Sequence, residues 1–139
     1  MEEKNEKITT DSKALAKAVA AALIEKKAQD VRMFYVEGKS SITDYYVNAT
    51  GRSSTQVMAL ADEVMEKAEA LGRAGKIEGR DGRAWLLVDF CDVIVNVFDK
   101  PSREFYNFDR HLPEGTEVDL SDIIAEIDKK FEINTAEEN

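Results

Sequence analysis

The residues with the most catalytic potential are Gly51, Ser53 and Ser54 in the run TGRSS, taken together with the carboxylates Asp89 and Asp92. A Gly-Ser turn entering a helix can receive a phosphate at the helix N-terminus, and paired acids on a strand can hold magnesium and a triphosphate, as nucleotidyl transfer requires. The spacing opposes that chemistry. Two carboxylates leave a strand on one side only from alternate positions, whereas Asp89 and Asp92 are three apart. Neither G-x-x-x-x-G-K-[ST] nor G-x-G-x-x-G occurs, and Ser53 with Gln56 has the S-x-x-Q spacing of a capping box, which explains the serines equally well. His111, the one histidine, sits near Pro113 and Gly115 with no Cys, Ser or second His at catalytic or metal-ligand spacing, and reads as a surface residue. Cys91 stands alone, so it can build neither an internal disulfide nor a multi-cysteine zinc site. No catalytic residue, metal or cofactor is expected.

The elements that position these residues follow from periodicity. KALAKAVAAALIEKKA, Lys13 to Ala28, puts Leu15, Val19, Ala22 and Leu23 on one stripe and reads as a helix capped by Asp11 or Ser12. VRMFYVE and YYVNAT read as strands, and a helix follows from about Ser54 to Leu71, stopped by Gly72. A short strand is expected near Lys76 to Glu78. AWLLVDF and VIVNVFD then form an antiparallel hairpin around Cys91 and Asp92. Pro101 breaks the second hairpin strand, and SREFYNF forms a short helix capped by Ser102, with Arg103 and Tyr106 one turn apart. A final helix runs from Leu120 to Phe131 with Ile123, Ile124, Ile127 and Phe131 as its stripe and Asp119 as its cap. The residues NTAEEN beyond it are expected to fray.

A chain of 139 residues suits one core and is too short for two ordinary domains. Nineteen basic against twenty-eight acidic residues give a net charge of −9, which opposes broad neutralisation of phosphates. Little direct nucleic-acid contact is expected. The same charge suits solubility and favours fast approach to a basic protein. No run is long and apolar enough to span a bilayer or to act as a secretory signal, so no membrane association is expected and the cytoplasm is the expected compartment.

Strand alternation defines a surface. If Cys91 and Asp92 form the turn, Phe90 faces Val93 and the pairing runs out to Trp85 opposite Phe98. One face then carries Leu86, Val88, Phe90, Val93, Val95 and Val97, all apolar. The other mixes Trp85, Leu87 and Asp89 with Phe98, Asn96 and Ile94, and such a face is seldom left bare to water. Either another element of the chain, such as the C-terminal helix, covers it, or a partner does, with Trp85 as an anchor.

The motifs SSITDYYVNATGRSSTQVMALADEV, EG and WLLVDFCDVIVNVF, followed by the R-x-x-Y of Arg103 and Tyr106, resemble the Iojap-related ribosomal silencing factor family over about Leu15 to Leu112. VDLSDII resembles an extension found in some members. The polar, aperiodic start reads as a flexible lead-in over 1–12, and the resemblance implies one silencing-factor domain over 13–112 and a C-terminal extension over 113–139. It also implies an α/β fold, a mixed β-sheet packed with helices in a nucleotidyltransferase-like topology without the catalytic site. The implied activity is binding to the large ribosomal subunit through its fourteenth large-subunit protein, which sterically blocks joining of the small subunit and represses translation under nutrient limitation. A homodimer is also implied. Asp44, Trp85, Leu87, Asn96, Phe98 and Tyr106 are the expected contact residues. Asn96 stands where many members have His in a V-H-V-type strand, and NFDRHL lacks the Trp of the usual L-E-x-L-W ending. Asn keeps a hydrogen-bonding group without titrating near neutral pH. The competing readings are a homodimeric scaffold of another pathway and a vestigial nucleotidyltransferase-like protein.

Overall fold

A computed structural model describes residues 10–79, 82 and 84–138 of the chain, so the expectations for residues 1–9 and for loop positions 80, 81 and 83 lie outside it. Helix α1 spans Ser12–Glu25, and Asp11 caps it by accepting the Ala14 N–H at 2.8 Å. Leu15, Val19, Ala22 and Leu23 are buried as their spacing predicts. The described residues are tied to the fold from Thr10 onward. Thr10 donates its hydroxyl to the Leu71 carbonyl at 2.8 Å, and the Arg73 guanidinium donates to the Thr10 carbonyl at 2.6 Å.

Strands β1 (Gln29–Tyr35) and β2 (Tyr45–Gly51) pair antiparallel, with a register shift near Asp30, which is left-handed at φ 49°. Helix α2, Ser54–Ala70, follows. Strands β3 (Lys76–Glu78), β4 (Trp85–Asp89) and β5 (Val93–Asp99) come next, and Trp85 pairs with Phe98 as the two-residue turn predicts. The short helix α3 covers Lys100–Tyr106, and a 3-10 turn covers Phe108–His111. Strand β6, Glu117–Val118, was not foreseen: it pairs with β1, so the segment after residue 112 belongs to the same sheet. Helix α4, Ser121–Glu138, closes the described chain.

The single sheet has the order β3-β4-β5-β2-β1-β6, and only its central pair, β2 with β5, is parallel. Helices α1 and α2 cover one face, where Leu15, Val19, Leu60 and Val64 meet Val47, Leu86, Val88, Val95 and Val97 in one continuous core. This is the mixed α/β sheet with packed helices that the sequence leads one to expect. No helix among the described residues is long and apolar enough to cross a membrane.

Three local expectations are corrected. Asp99, not Ser102, caps α3: its carboxylate accepts the Ser102 N–H at 2.9 Å, and Pro101 sits in the first turn, where its missing N–H costs nothing. Helix α4 continues through Thr135 and Ala136 to Glu138 instead of fraying, because neither Gly nor Pro interrupts it. It lies against α1, with the Lys27 ammonium 5.0 Å from the centre of the Phe131 ring and Lys130 3.7 Å from Glu25, so it does not cover the mixed sheet face. Of its predicted stripe, Ile123 packs on the core, while Ile124 and Phe131 stay exposed.

Candidate partner-binding surface

The groups with catalytic potential are engaged in structural bonds. A Cβ on Gly51 would meet the Val57 backbone nitrogen at 3.0 Å, so this glycine serves the close approach of β2 to α2. Ser53 accepts the Gln56 N–H at 3.1 Å, and the Gln56 side chain reaches back to the Arg52 N–H at 2.6 Å. Asp89 and Asp92 do not converge. Asp89 accepts the Cys91 N–H at 2.8 Å within the turn, whereas Asp92 pairs with Arg73 and accepts the Ser12 hydroxyl at 2.7 Å. Burial pushes the Asp92 carboxyl up, but the hydrogen bonds from Arg73 and Ser12 outweigh it and hold the group below the ordinary carboxylate value. His111 is exposed, with Nδ1 3.1 Å from the Asn107 carbonyl.

The mixed face is built by four strands. Register places Leu87 beside Asn96, Asn96 beside Asn48, and Asn48 beside Arg32. A second apolar cluster gathers there, with Phe34, Val36, Tyr46 and Ile94 buried and Leu87, Phe108 and Leu112 packed against them. The cover is therefore a part of this chain, α3 and the 3-10 turn.

Beneath that cover runs one line of hydrogen bonds. The Trp85 indole N–H donates to Asn96 Oδ1 at 3.0 Å, and Asn96 Nδ2 donates to Asn48 Oδ1 at 3.0 Å. Asn48 Nδ2 donates to Asp109 Oδ1 at 2.5 Å, and Arg103 donates to Asp109 Oδ2 at 2.7 Å. The same guanidinium donates to Thr50 Oγ1 at 2.7 Å and to the Asp30 carbonyl at 3.1 Å. Asn48 and Asn96 are fully buried, and no buried side-chain nitrogen or oxygen among the described residues lacks a partner. Completeness matters because each unpaired polar group there would cost about 1–3 kcal/mol.

At the outer end of this line stands an aromatic ledge. Trp85 is half-buried, with its ring centre 4.9 Å from those of both Phe98 and Tyr106. Tyr106 in turn lies 5.0 Å from Phe105, edge to face. Tyr106 is 47% exposed and Phe105 80%, a large uncovered aromatic surface for a chain of this size.

The structure thus brings five of the six expected contact residues into one region but gives them different positions. Trp85 and Tyr106 reach solvent, and Leu87 is half-buried. Asn96 and Phe98 lie on the mixed face as expected, buried under α3 and the turn, where they contact Trp85 from below. Asp44 is elsewhere. It precedes Tyr45, which pairs with Val93, whereas Trp85 pairs with Phe98, about 17 Å further along β5 at 3.3 Å per residue. Its backbone bonds Val36 and Asp92, while its half-exposed carboxylate accepts no hydrogen bond from a described residue. Nearby, Tyr35 stacks on Tyr45 and donates to Glu37 at 2.6 Å, a bond that pushes the Tyr35 phenol up to about 12. The sequence reading missed Asn48, Asp109, Phe105 and Phe108. The available signal was an Asn in a strand otherwise rich in apolar residues, facing a second Asn on the neighbouring strand.

A family model described as "Ribosomal silencing factor during starvation" matches residues 9–139. The chain is similar to Ribosomal silencing factor RsfS of Bacillus subtilis, at 37% identity over 111 residues, which cover 79% of this chain and 94% of that one. It is 39% identical to the protein of the same name from Zymomonas mobilis over 110 residues, 78% of this chain and 83% of the relative. Among solved structures, a crystal structure of a protein from Chromobacterium violaceum superposes with a TM-score of 0.68 at 30% identity, over 71% of this chain and 83% of the other.

Proposed function

The chain belongs to the ribosomal silencing factor family, and from that premise we propose that it docks on the large ribosomal subunit at the fourteenth large-subunit protein and blocks joining of the small subunit. Translation is repressed by this occupancy, without turnover of a substrate, when nutrients are limiting. The site of action is the cytoplasm. The observation that carries the reading is the exposed aromatic ledge of Trp85, Tyr106 and Phe105, seated on a fully hydrogen-bonded face. Rigid, half-exposed aromatics of this kind make interface hot spots, because they bring large area with little side-chain entropy to lose. Leu87 borders the ledge, and Asp44, further along the sheet, supplies a carboxylate that accepts no hydrogen bond from a described residue. A standard interface of ~800 Å² per partner is about 30 Å across and reaches both. The net charge of −9 speeds approach to a basic ribosomal protein and disfavours direct contact with RNA.

The test is co-sedimentation of the purified chain with isolated large subunits, together with a subunit-joining assay. Binding and a shift away from the joined particle are expected, and absence of both at micromolar protein overturns the proposal. Trp85→Ala is expected to weaken binding by about 2 kcal/mol or more with an unchanged circular dichroism spectrum. A second copy of the chain could bury the same ledge. Sedimentation equilibrium shows whether a homodimer forms, and a crosslinked dimer that still binds large subunits would separate the two surfaces.

A further inference from the structure

We propose that Arg103, Asp109 and Asn48 are positioning residues, which act through one directed line of hydrogen bonds to hold α3 on the sheet and fix the Trp85 indole in the orientation a partner meets. The part concerning the partner rests on the docking function proposed above.

Helix α3 has little apolar hold of its own. Its one buried residue is Arg103, while Phe105 and Tyr106 face outward. The Arg103 guanidinium, 8% exposed, bonds three separate segments: Thr50 at the end of β2, the Asp30 carbonyl in β1 and Asp109 in the 3-10 turn. It also lies 5.8 Å from the centre of the Phe98 ring. A planar fork with five donors suits such a junction, and lysine, with one compact ammonium, does not replace it.

The line also has a direction imposed by its ends. An indole N–H only donates, and a carboxylate only accepts. Asn96 must therefore turn its oxygen to Trp85 and its amide nitrogen to Asn48, and Asn48 must do the same toward Asp109. Reversing either amide sets donor against donor or acceptor against acceptor. The state of Asp109, at the far end, is thereby felt at the indole.

The fixed direction of donation sets the outcome of an exchange. Asp109→Asn alone turns an amide N–H toward either Arg103 or Asn48, both donors. Asn48→Asp alone sets two carboxylates against each other. With both substitutions together every group is paired again: the carboxylate at position 48 accepts from Asn96 and from the new amide at position 109, whose oxygen accepts from Arg103. Charge is conserved.

The chain has a single tryptophan, so its emission maximum and acrylamide quenching report the ledge without any partner. Each single variant is expected to shift both signals and to weaken large-subunit co-sedimentation by about tenfold, with the double variant back within about threefold of the parent chain. Arg103→Lys, which keeps the charge but loses the fork, is expected to shift the same signals and is not restored by the exchange. Unchanged emission and quenching in both single variants would overturn the proposal, and so would a double variant no closer to the parent than the worse single. If the single variants fail to fold, recovery of fold and emission in the double variant supports the proposal, and a double variant that also fails to fold sinks it. A parent chain that does not sediment with large subunits removes the docking function alone, because the fluorescence comparison still decides the positioning role.

Discussion

Toward α1 and α2 the central strands present Val47, Ala49, Leu86, Val88, Val95 and Val97, while toward α3 the same strands present Tyr46, Asn48, Thr50, Trp85, Leu87, Asn96 and Phe98. The first face is held by contact area, which is roughly additive and indifferent to orientation. The second is held by partners that must meet in one order, so its stability depends on which group is left without a mate. The helix-covered face therefore tolerates changes of shape that conserve volume, and the α3-covered face tolerates changes of chemistry only when they are made in pairs.

The contrast can be broken by measurement. The largest loss is expected for Asn48→Leu, a change of similar volume that strands Asn96 Nδ2 and Asp109 Oδ1 together. It should destabilise by about 4 kcal/mol, two unpaired groups at ~2 kcal/mol each, as read from urea denaturation. Leu60→Ala, in the α2 side of the core, is expected to cost about 3 kcal/mol through transfer and cavity terms, while leaving the native tryptophan emission unaltered. If the leucine costs clearly more than the asparagine, the polar line is not the chief support of its face. Trp85→Phe keeps an aromatic ring and deletes the N–H that Asn96 Oδ1 accepts. A loss of about 1–2 kcal/mol in thermal unfolding is expected, and a neutral result would mean that Asn96 finds water instead.

The smallest effect lies at the rim of the helix layer. The folded-state value of Asp92 is depressed, so its contribution is present above its unfolded value and is lost as pH falls through the depressed folded one. Acid titration of stability should show a steeper decline below about pH 4 in the parent chain than in Asp92→Asn. Equal slopes would assign the decline to other carboxylates.

Much of the architecture was legible because it depends on local patterns. The two-residue turn at Cys91 and Asp92 set the whole hairpin register, and alternation then sorted Trp85, Asn96 and Phe98 onto one face. Alternation says which side a residue takes but not what covers it. The cover came from α3, whose sequence carries no apolar stripe because its hold is a guanidinium. Asp109 was illegible for a related reason: its bond to Asn48 spans 61 residues, and no period links a turn carboxylate to a strand amide. Phe98 fitted the description of a contact anchor equally well as that of a buried support, and only the placement of Tyr106 and Phe108 separates the two. Strand β6 is too short for any periodicity to register.

The parallel pairing of β2 with β5 bears on how the chain comes into being. Asn48 meets Asn96 across 48 residues, so the centre of the sheet rests on a distant pairing, and contacts of that separation form slowly. During synthesis β1 and β2 emerge first and pair with each other, and β2, whose seven residues are all buried in the finished fold, then waits with one edge open until the hairpin strand arrives. A member of the ribosomal silencing factor family therefore passes, on each ribosome that makes it, through an interval in which its most completely buried strand has one edge open.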